Sequence, residues 1–258
     1  MSEAGGTYYR ATGEGAPLVL VHGVGLDLEI WEPMVPLLQQ GRRIIRYDMQ
    51  GHGGSAKPPG PYRLEDFAAQ LARLADALGI ERFDLAGFSL GALVSETFAA
   101  RYGERVRRLA LLNVIHDRSP AERAAVATRL AGVEAGKLEA SIAAALERWF
   151  TPGFAAARPD VVAAIERRLR GNDAAAYLAS YRVFATADAE LPQLVAAIRC
   201  PTLVLTAEND VGSTPAMSRA LAATLPGATL AILPRLRHLA LVESPEAVAA
   251  HLTDFFRE

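Results

Sequence analysis

The stretch from Phe83 to Arg101 constrains this chain's fold more than any other. Phe83 to Ala86 is an apolar run that reads as a short buried strand, and Ala92 to Arg101 carries apolar residues at helical spacing. Between them lies Gly87-Phe88-Ser89-Leu90-Gly91, a serine with a glycine two residues to either side. A strand that turns this sharply into a helix forces the serine into strained backbone, and the glycines let the neighbouring strand and helix pass close. The helix N-terminus directs its free N–H groups at the same place, where negative charge would be stabilised.

The flanking chain alternates strands and helices. Pro17 to Val21 is a continuous apolar run, suited to a strand covered on both faces, and it ends in His22-Gly23-Val24-Gly25. Thr7 to Arg10 reads as an edge strand and Trp31 to Gln39 as a helix with Pro33 in its first turn. Arg43 to Tyr47 reads as a strand that runs into the glycine-rich loop Asp48 to Ser55, and Leu64 to Leu78 places its apolar residues on one helical face. Val106 to Val114 is another strand. Strand signals then stop. His116 to Arg199 holds only short alanine- and arginine-rich helical segments, interrupted by Gly132, Gly136, Pro152, Gly153 and Gly171. Strand–helix alternation resumes with Thr202 to Ala207, Thr214 to Thr224, Ala228 to Leu233 and Pro245 to Phe256. This order predicts an α/β core from residues 1–115 and 200–258, with 116–199 inserted as a helical cap over the end of a mostly parallel sheet.

Composition excludes several classes. A formal net charge of -2 argues against a general nucleic-acid or membrane-surface binder, and no apolar run is long enough to span a bilayer. The single cysteine, Cys200, excludes an intramolecular disulfide framework; with the small, polar start of the chain it predicts a cytoplasmic protein. No cysteine–histidine cluster offers a zinc site, and no glycine loop with a following lysine offers a phosphate cradle, so neither metal nor organic cofactor is expected. The expected partner is a small molecule; the sequence carries no signal for an oligomeric state.

In doubly wound sheets ligands bind beyond the carboxyl ends of the strands. His22, Asp48, Ser89, Asp210 and His238 all fall at such ends. A serine hydroxyl needs a base to become a nucleophile. Among five histidines, His22 is better used in shaping the Gly23-Val24 turn, His52 sits in a glycine loop, His116 opens the cap and His251 lies within the last helix. His238 ends the last strand and can reach Ser89. The carboxylate that orients it is expected at Asp210, with Glu208 and Asp117 as second choices. The oxyanion hole is expected at the backbone N–H groups of Val24 and Leu90. In the cap, Trp149, Phe150, Tyr177, Tyr181 and Phe184 are the large aromatics; one or two are expected to face the ligand, Trp149 first, with Arg182 as the candidate cation for an anionic substrate.

Taken together, His22-Gly23, Asp48-x-x-Gly51-His52-Gly53-x-Ser55, Gly87-Phe88-Ser89-Leu90-Gly91, Glu208-Asn209-Asp210 and His238 with Glu243-Ser244-Pro245 resemble the α/β-hydrolase pattern over almost the whole chain. The resemblance implies an α/β-hydrolase fold: a mostly parallel eight-stranded sheet, helices on both faces, and a cap inserted after the sixth strand. Within that fold the chain is similar to 3-oxoadipate enol-lactonases, through Arg148-Trp149-Phe150-Thr151-Pro152 and the Tyr177 to Asp188 stretch. It implies a serine hydrolase of a small ester or enol-lactone working through an acyl-enzyme. The same pattern is shared with C–C bond hydrolases, perhydrolase or haloperoxidase-like enzymes, and slow-turnover ligand receptors. Arg235-Leu236-Arg237 departs from the small residue usual before the histidine.

Overall fold

A computed structural model describes residues 2–257. Its frame is one eight-stranded sheet in the order β1-β2-β4-β3-β5-β6-β7-β8. The strands are β1 (Ser2–Ala4), β2 (Thr7–Thr12), β3 (Ala16–Val21), β4 (Arg42–Tyr47), β5 (Phe83–Phe88), β6 (Val106–Leu112), β7 (Thr202–Ala207) and β8 (Thr229–Leu233). β1 and β2 pair antiparallel at one edge; every other pairing is parallel.

Side chains alternate across a strand, so each central strand feeds two cores. Val19, Ile45, Leu85, Leu109, Leu111 and Val204 enter one layer, and Leu18, Ile44, Ala86, Leu112, Leu203 and Leu205 enter the other. Residues of both sets are buried, which is why these strands read as unbroken apolar runs rather than alternating ones.

The helices cover both faces. α1 (Val35–Leu38) follows a 3-10 turn over Leu28–Met34; α2 (Leu64–Ala77) and α3 (Leu90–Arg101) precede the break in alternation. The helix expected over Trp31 to Gln39 is thus a 3-10 segment with Pro33 inside it, followed by a single α turn. Proline removes a backbone donor, which keeps the longer α-helix from forming. Between β6 and β7 the chain is helical: α4 (Pro120–Glu134), α5 (Leu138–Trp149), α6 (Pro152–Ala157), α7 (Pro159–Arg170), α8 (Ala174–Thr186) and α9 (Leu191–Ala197). α10 (Pro215–Thr224), α11 (Ala240–Glu243) and α12 (Pro245–Arg257) complete the order.

Three elements, β1, α6 and the short α11, have no counterpart in the sequence reading. β1 is a three-residue edge strand of Ser, Glu and Ala, too short and polar to announce itself. α6 lies where Thr151-Pro152-Gly153 reads as a break; Thr151 instead caps it, accepting from the Phe154 N–H at 3.2 Å, with Pro152 at the tolerated first position. No helix among the described residues is long and apolar enough to cross a membrane.

Candidate active site

Ser89 lies between β5 and α3 with φ 55 and ψ -118, a left-handed backbone that side chains rarely adopt. The two glycines of the motif are required by backbone approach. A Cβ at Gly87 would lie 2.2 Å from the Gly91 carbonyl oxygen, and one at Gly91 would lie 2.4 Å from the carbonyl oxygens of both Val21 and His22. The helix therefore presses on the end of β3, and the serine is thrust out at the sheet's carboxyl edge.

His238 follows β8 on the loop expected for it. Its Nδ1 lies 2.6 Å from Asp210 Oδ2, and both residues are buried. Asp210 is held from several sides: Asn113 Nδ2 donates to Oδ2 at 2.8 Å, and the N–H groups of Gly212 and Ser213 donate to Oδ1 at 2.8 and 2.9 Å. Burial alone would favour the neutral acid. The adjacent His238 and the hydrogen bonds from His238, Ser213 and Asn113 outweigh it and hold the carboxyl below its ordinary range. The second-choice carboxylates are elsewhere. Glu208 accepts from the Arg235 N–H at 2.7 Å on an exposed loop, and Asp117 is exposed beside His116 in a separate cavity.

His22 and His52 are structural in their contacts. His22 is fully buried, with Nδ1 2.8 Å from the Gly23 carbonyl and Nε2 accepting the Met49 N–H at 2.9 Å. Those partners fix one neutral tautomer, and burial lowers its pKa. His52 sits 5.0 Å from the His22 ring, and burial and that neighbour push it down to about 3. Asp48 accepts from Leu28 N–H at 2.8 Å and Gly54 N–H at 2.7 Å, so it organises its own glycine loop.

Val24 N–H and Leu90 N–H have no hydrogen-bond acceptor among the described residues. Leu90 is the first residue of α3, where no preceding turn supplies a carbonyl. The loop carrying Val24 is tied to the helical segment above it: Asn172 Nδ2 donates to the Gly25 carbonyl at 2.8 Å.

Ser89, His238, Asp210 and Val24 line one cavity. Its roof is built from three helical stripes. α5 contributes Ser141, Ala144, Ala145, Arg148 and Trp149; α8 contributes Tyr177, Tyr181 and Phe184; α4 contributes Arg129 and Val133. The cavity volume is about 90 Å³. A water needs roughly 10–15 Å³ on that measure, so the space suits a small ligand rather than a long acyl chain.

Trp149 stands where the sequence reading placed it, its ring 5.9 Å from that of His238. Four of the five aromatics line the cavity rather than one or two; Phe150 alone turns away and stacks on Phe154 at 5.3 Å. Arg182 does not reach the site. It lies on the exposed side of α8 and pairs with Glu134 at 2.9 Å. Tyr177, Tyr181 and Phe184 occupy the inward stripe at i, i+4 and i+7, and a residue one step after Tyr181 points about 100° away from it. The arginines at the cavity are Arg129 and Arg148; sequence alone gives neither a site role, although Arg148 belongs to the Arg148-Trp149-Phe150-Thr151-Pro152 stretch that carries the resemblance.

Arg237 explains the departure before the histidine. Its guanidinium donates to the carbonyls of Glu147 at 2.5 Å and Phe150 at 3.0 Å, fastening the end of α5 to the loop of His238.

A strained serine at a strand-to-helix turn, a buried His–Asp pair on the loops after the last two strands and an eight-stranded mostly parallel sheet define a hydrolase-type α/β protein. The chain belongs to the alpha/beta hydrolase fold family, whose family model matches residues 16–245. It is 32% identical over 241 residues to (E)-2-((N-methylformamido)methylene)succinate hydrolase of Acinetobacter baylyi, covering 93% of this chain and 90% of that protein. It is 30% identical over 230 residues to 3-oxoadipate enol-lactonase 2 of the same organism, covering 89% and 84%. The crystal structure of the enol-lactonase from Burkholderia xenovorans LB400 superposes with a TM-score of 0.91 at 32% identity, covering 99% of this chain and 98% of that one.

Proposed function

We propose that this chain is a serine hydrolase that cleaves a small ester or lactone through an acyl-enzyme on Ser89. One observation carries the reading: the 2.6 Å contact between His238 Nδ1 and an Asp210 carboxylate kept ionised, on the same cavity as a serine in strained backbone. The relative named for an enol-lactone supports the ester or lactone reading, and the relative named for an N-methylformamido succinate supports hydrolysis alone. Residues 116–199 act as the cap that closes the cavity over a core formed by 1–115 and 200–258.

With Nδ1–H donated to Asp210, His238 Nε2 carries the lone pair and accepts the proton of the Ser89 hydroxyl. Oγ attacks the carbonyl carbon, and the carbonyl π pair moves onto oxygen. The N–H groups of Val24 and Leu90, free of other acceptors, receive that oxyanion. Asp210 stabilises the imidazolium. As the intermediate collapses, the Nε2 proton passes to the leaving alkoxide or enolate and the acyl group stays on Ser89. Water then gives its proton to Nε2 and attacks the acyl carbon, and the second collapse restores the hydroxyl. In a lactone the leaving oxygen is tethered to the acyl group, so the product is one ring-opened acid.

The test uses a fluorophosphonate and a panel of p-nitrophenyl esters, simple lactones and carboxylated enol-lactones. Wild type is expected to label covalently at Ser89 and to turn over members of the panel; folded Ser89→Ala is expected to do neither. Equal labelling of Ser89→Ala removes the serine from the mechanism. Labelling with a single burst and no sustained turnover on any substrate replaces the hydrolase by a slow-turnover receptor.

A further inference from the structure

We propose that Arg129 and Arg148 together hold a carboxylate of the substrate under the cap, so that the site selects esters or lactones bearing a free carboxylate. The kinetic part of this rests on the hydrolase reading; the binding part stands without it.

Arg129 projects from α4 and Arg148 from α5, and both line the cavity that contains Ser89 and His238. Several other arginines of the helical segment pair with carboxylates, Arg118 with Asp188, Arg168 with Asp27 and Arg182 with Glu134; Arg123, Arg167 and Arg199 do not, but none of these lines the cavity. Among the described residues Arg129 and Arg148 have no salt-bridge partner. Among the described residues Asp210 is the one carboxylate lining the cavity, and its oxygens are taken by His238, Asn113, Gly212 and Ser213.

The two guanidinium groups also feel each other. Burial lowers the Arg148 pKa most, and the charge of Arg129 lowers it further. Two half-buried like charges without a counter-ion are costly unless an anion joins them. A carboxylate supplies two oxygens with about four acceptor sites, and each guanidinium supplies a planar fork of donors, so one carboxylate bridges both. Serine and alanine at Ser141, Ala144 and Ala145, on the same stripe of α5 as Arg148, leave the space for it. Tyr177, Tyr181 and Phe184 supply an apolar wall for the carbon chain between the held carboxylate and the carbonyl under attack.

Binding is measured by calorimetry with succinate and, as its neutral counterpart, succinamide, on wild type, Arg129→Ala, Arg148→Ala and Arg148→Lys. Wild type is expected to bind succinate saturably and succinamide far more weakly. Each alanine variant is expected to lose succinate affinity by about tenfold or more, the scale of a lost charge-assisted hydrogen bond. Arg148→Lys keeps the charge without the fork and is expected to fall between; it and Arg129→Gln carry the test where alanine impairs folding. Initial kcat/KM for monomethyl succinate over that for dimethyl succinate is expected to drop about tenfold or more in the same variants. Wild type that prefers succinate no more than succinamide, or variants that lose charged and neutral ligands equally, would overturn the proposal. Arginine-dependent succinate binding with no turnover of either methyl ester or of any member of the ester and lactone panel upholds the anion site and removes the hydrolase reading.

Discussion

Asn113 Nδ2 lies 2.8 Å from Asp210 Oδ2, the oxygen that also faces His238. Asn113 sits just past the end of β6 with φ 50, a left-handed position that asparagine tolerates better than most residues. Its amide helps keep Asp210 ionised and fixes the carboxylate plane. A hydrogen bond to a charged group contributes about 1.5–3 kcal/mol, and each 1.36 kcal/mol is about tenfold in rate. Asn113→Gly removes the amide while suiting the backbone angle. We expect it to lower kcat about ten- to hundredfold with little change in KM, read from steady-state kinetics on the best ester of the panel. Unchanged kcat would show that Asp210 needs no help from Asn113.

Gly91 and Gly132 differ in what surrounds them. A Cβ at Gly91 meets two backbone carbonyls at 2.4 Å, and neither can move without shifting β3; a Cβ at Gly132, on α4, finds only Ser141 Oγ at 3.8 Å. Gly91→Ala is expected to destabilise the protein by about 3 kcal/mol or more. Gly132→Ala is expected to stabilise it by about 0.5–1 kcal/mol, since glycine is costly within a helix. Urea unfolding of the two variants against wild type decides both.

Glu96 lies on α3, fully buried, and neither carboxyl oxygen has a hydrogen-bond partner among the described residues. Burial raises its pKa well above the ordinary value of 4.5. A raised folded-state pKa gives a contribution that is fully present below about 4.5 and is lost as pH climbs toward the folded-state pKa, because only the native state keeps the proton. Over that window the side chain lowers unfolding free energy by up to about 1.4 kcal/mol per pH unit. Glu96→Leu is expected to flatten the fall in stability above pH 5 and to be more stable than wild type at pH 8. Parallel stability–pH curves for the two proteins would place an ionised Glu96 in the native state.

Sequence-legible parts of this protein are those set by local rules. β3, β5, β6 and β7 are buried on both faces, so each announces itself as an apolar run; Ser89, Asp210 and His238 each lie just beyond a strand, where the fold converges them on one cavity. Arg129 and Arg148 depend instead on how α4, α5 and α8 pack against one another. That packing rests on alanine-rich faces with little periodic contrast. Sequence proximity to the aromatic cluster suggests Arg182, but neighbours along a helix face different directions. The inward stripe Tyr177, Tyr181 and Phe184 was readable from i, i+4 and i+7 spacing and would have excluded it.

Thr151 joins the helical segment to the loop behind His238. Its backbone N–H donates to Glu243 Oε1 at 3.0 Å and its hydroxyl donates to the same oxygen, while that hydroxyl also caps α6. Nearby, the Leu239 N–H donates to the Trp149 carbonyl at 3.0 Å, so the residue after the histidine is bound to the residue that packs against the histidine ring. Thr151→Val keeps the shape and the backbone donor but removes the hydroxyl from both the cap and Glu243. The loss of an N-cap is about 1 kcal/mol, and Glu243, whose other oxygen Oε2 is buried without a partner, loses a donor as well. We expect faster amide exchange across 150–157, a rise in KM severalfold, and a smaller fall in kcat, because the roof of the cavity loosens while Ser89, Asp210 and His238 keep their own contacts. A fall in kcat at constant KM, with exchange across 150–157 unchanged, would mean that Thr151 acts through the histidine loop and not through the closure of the roof.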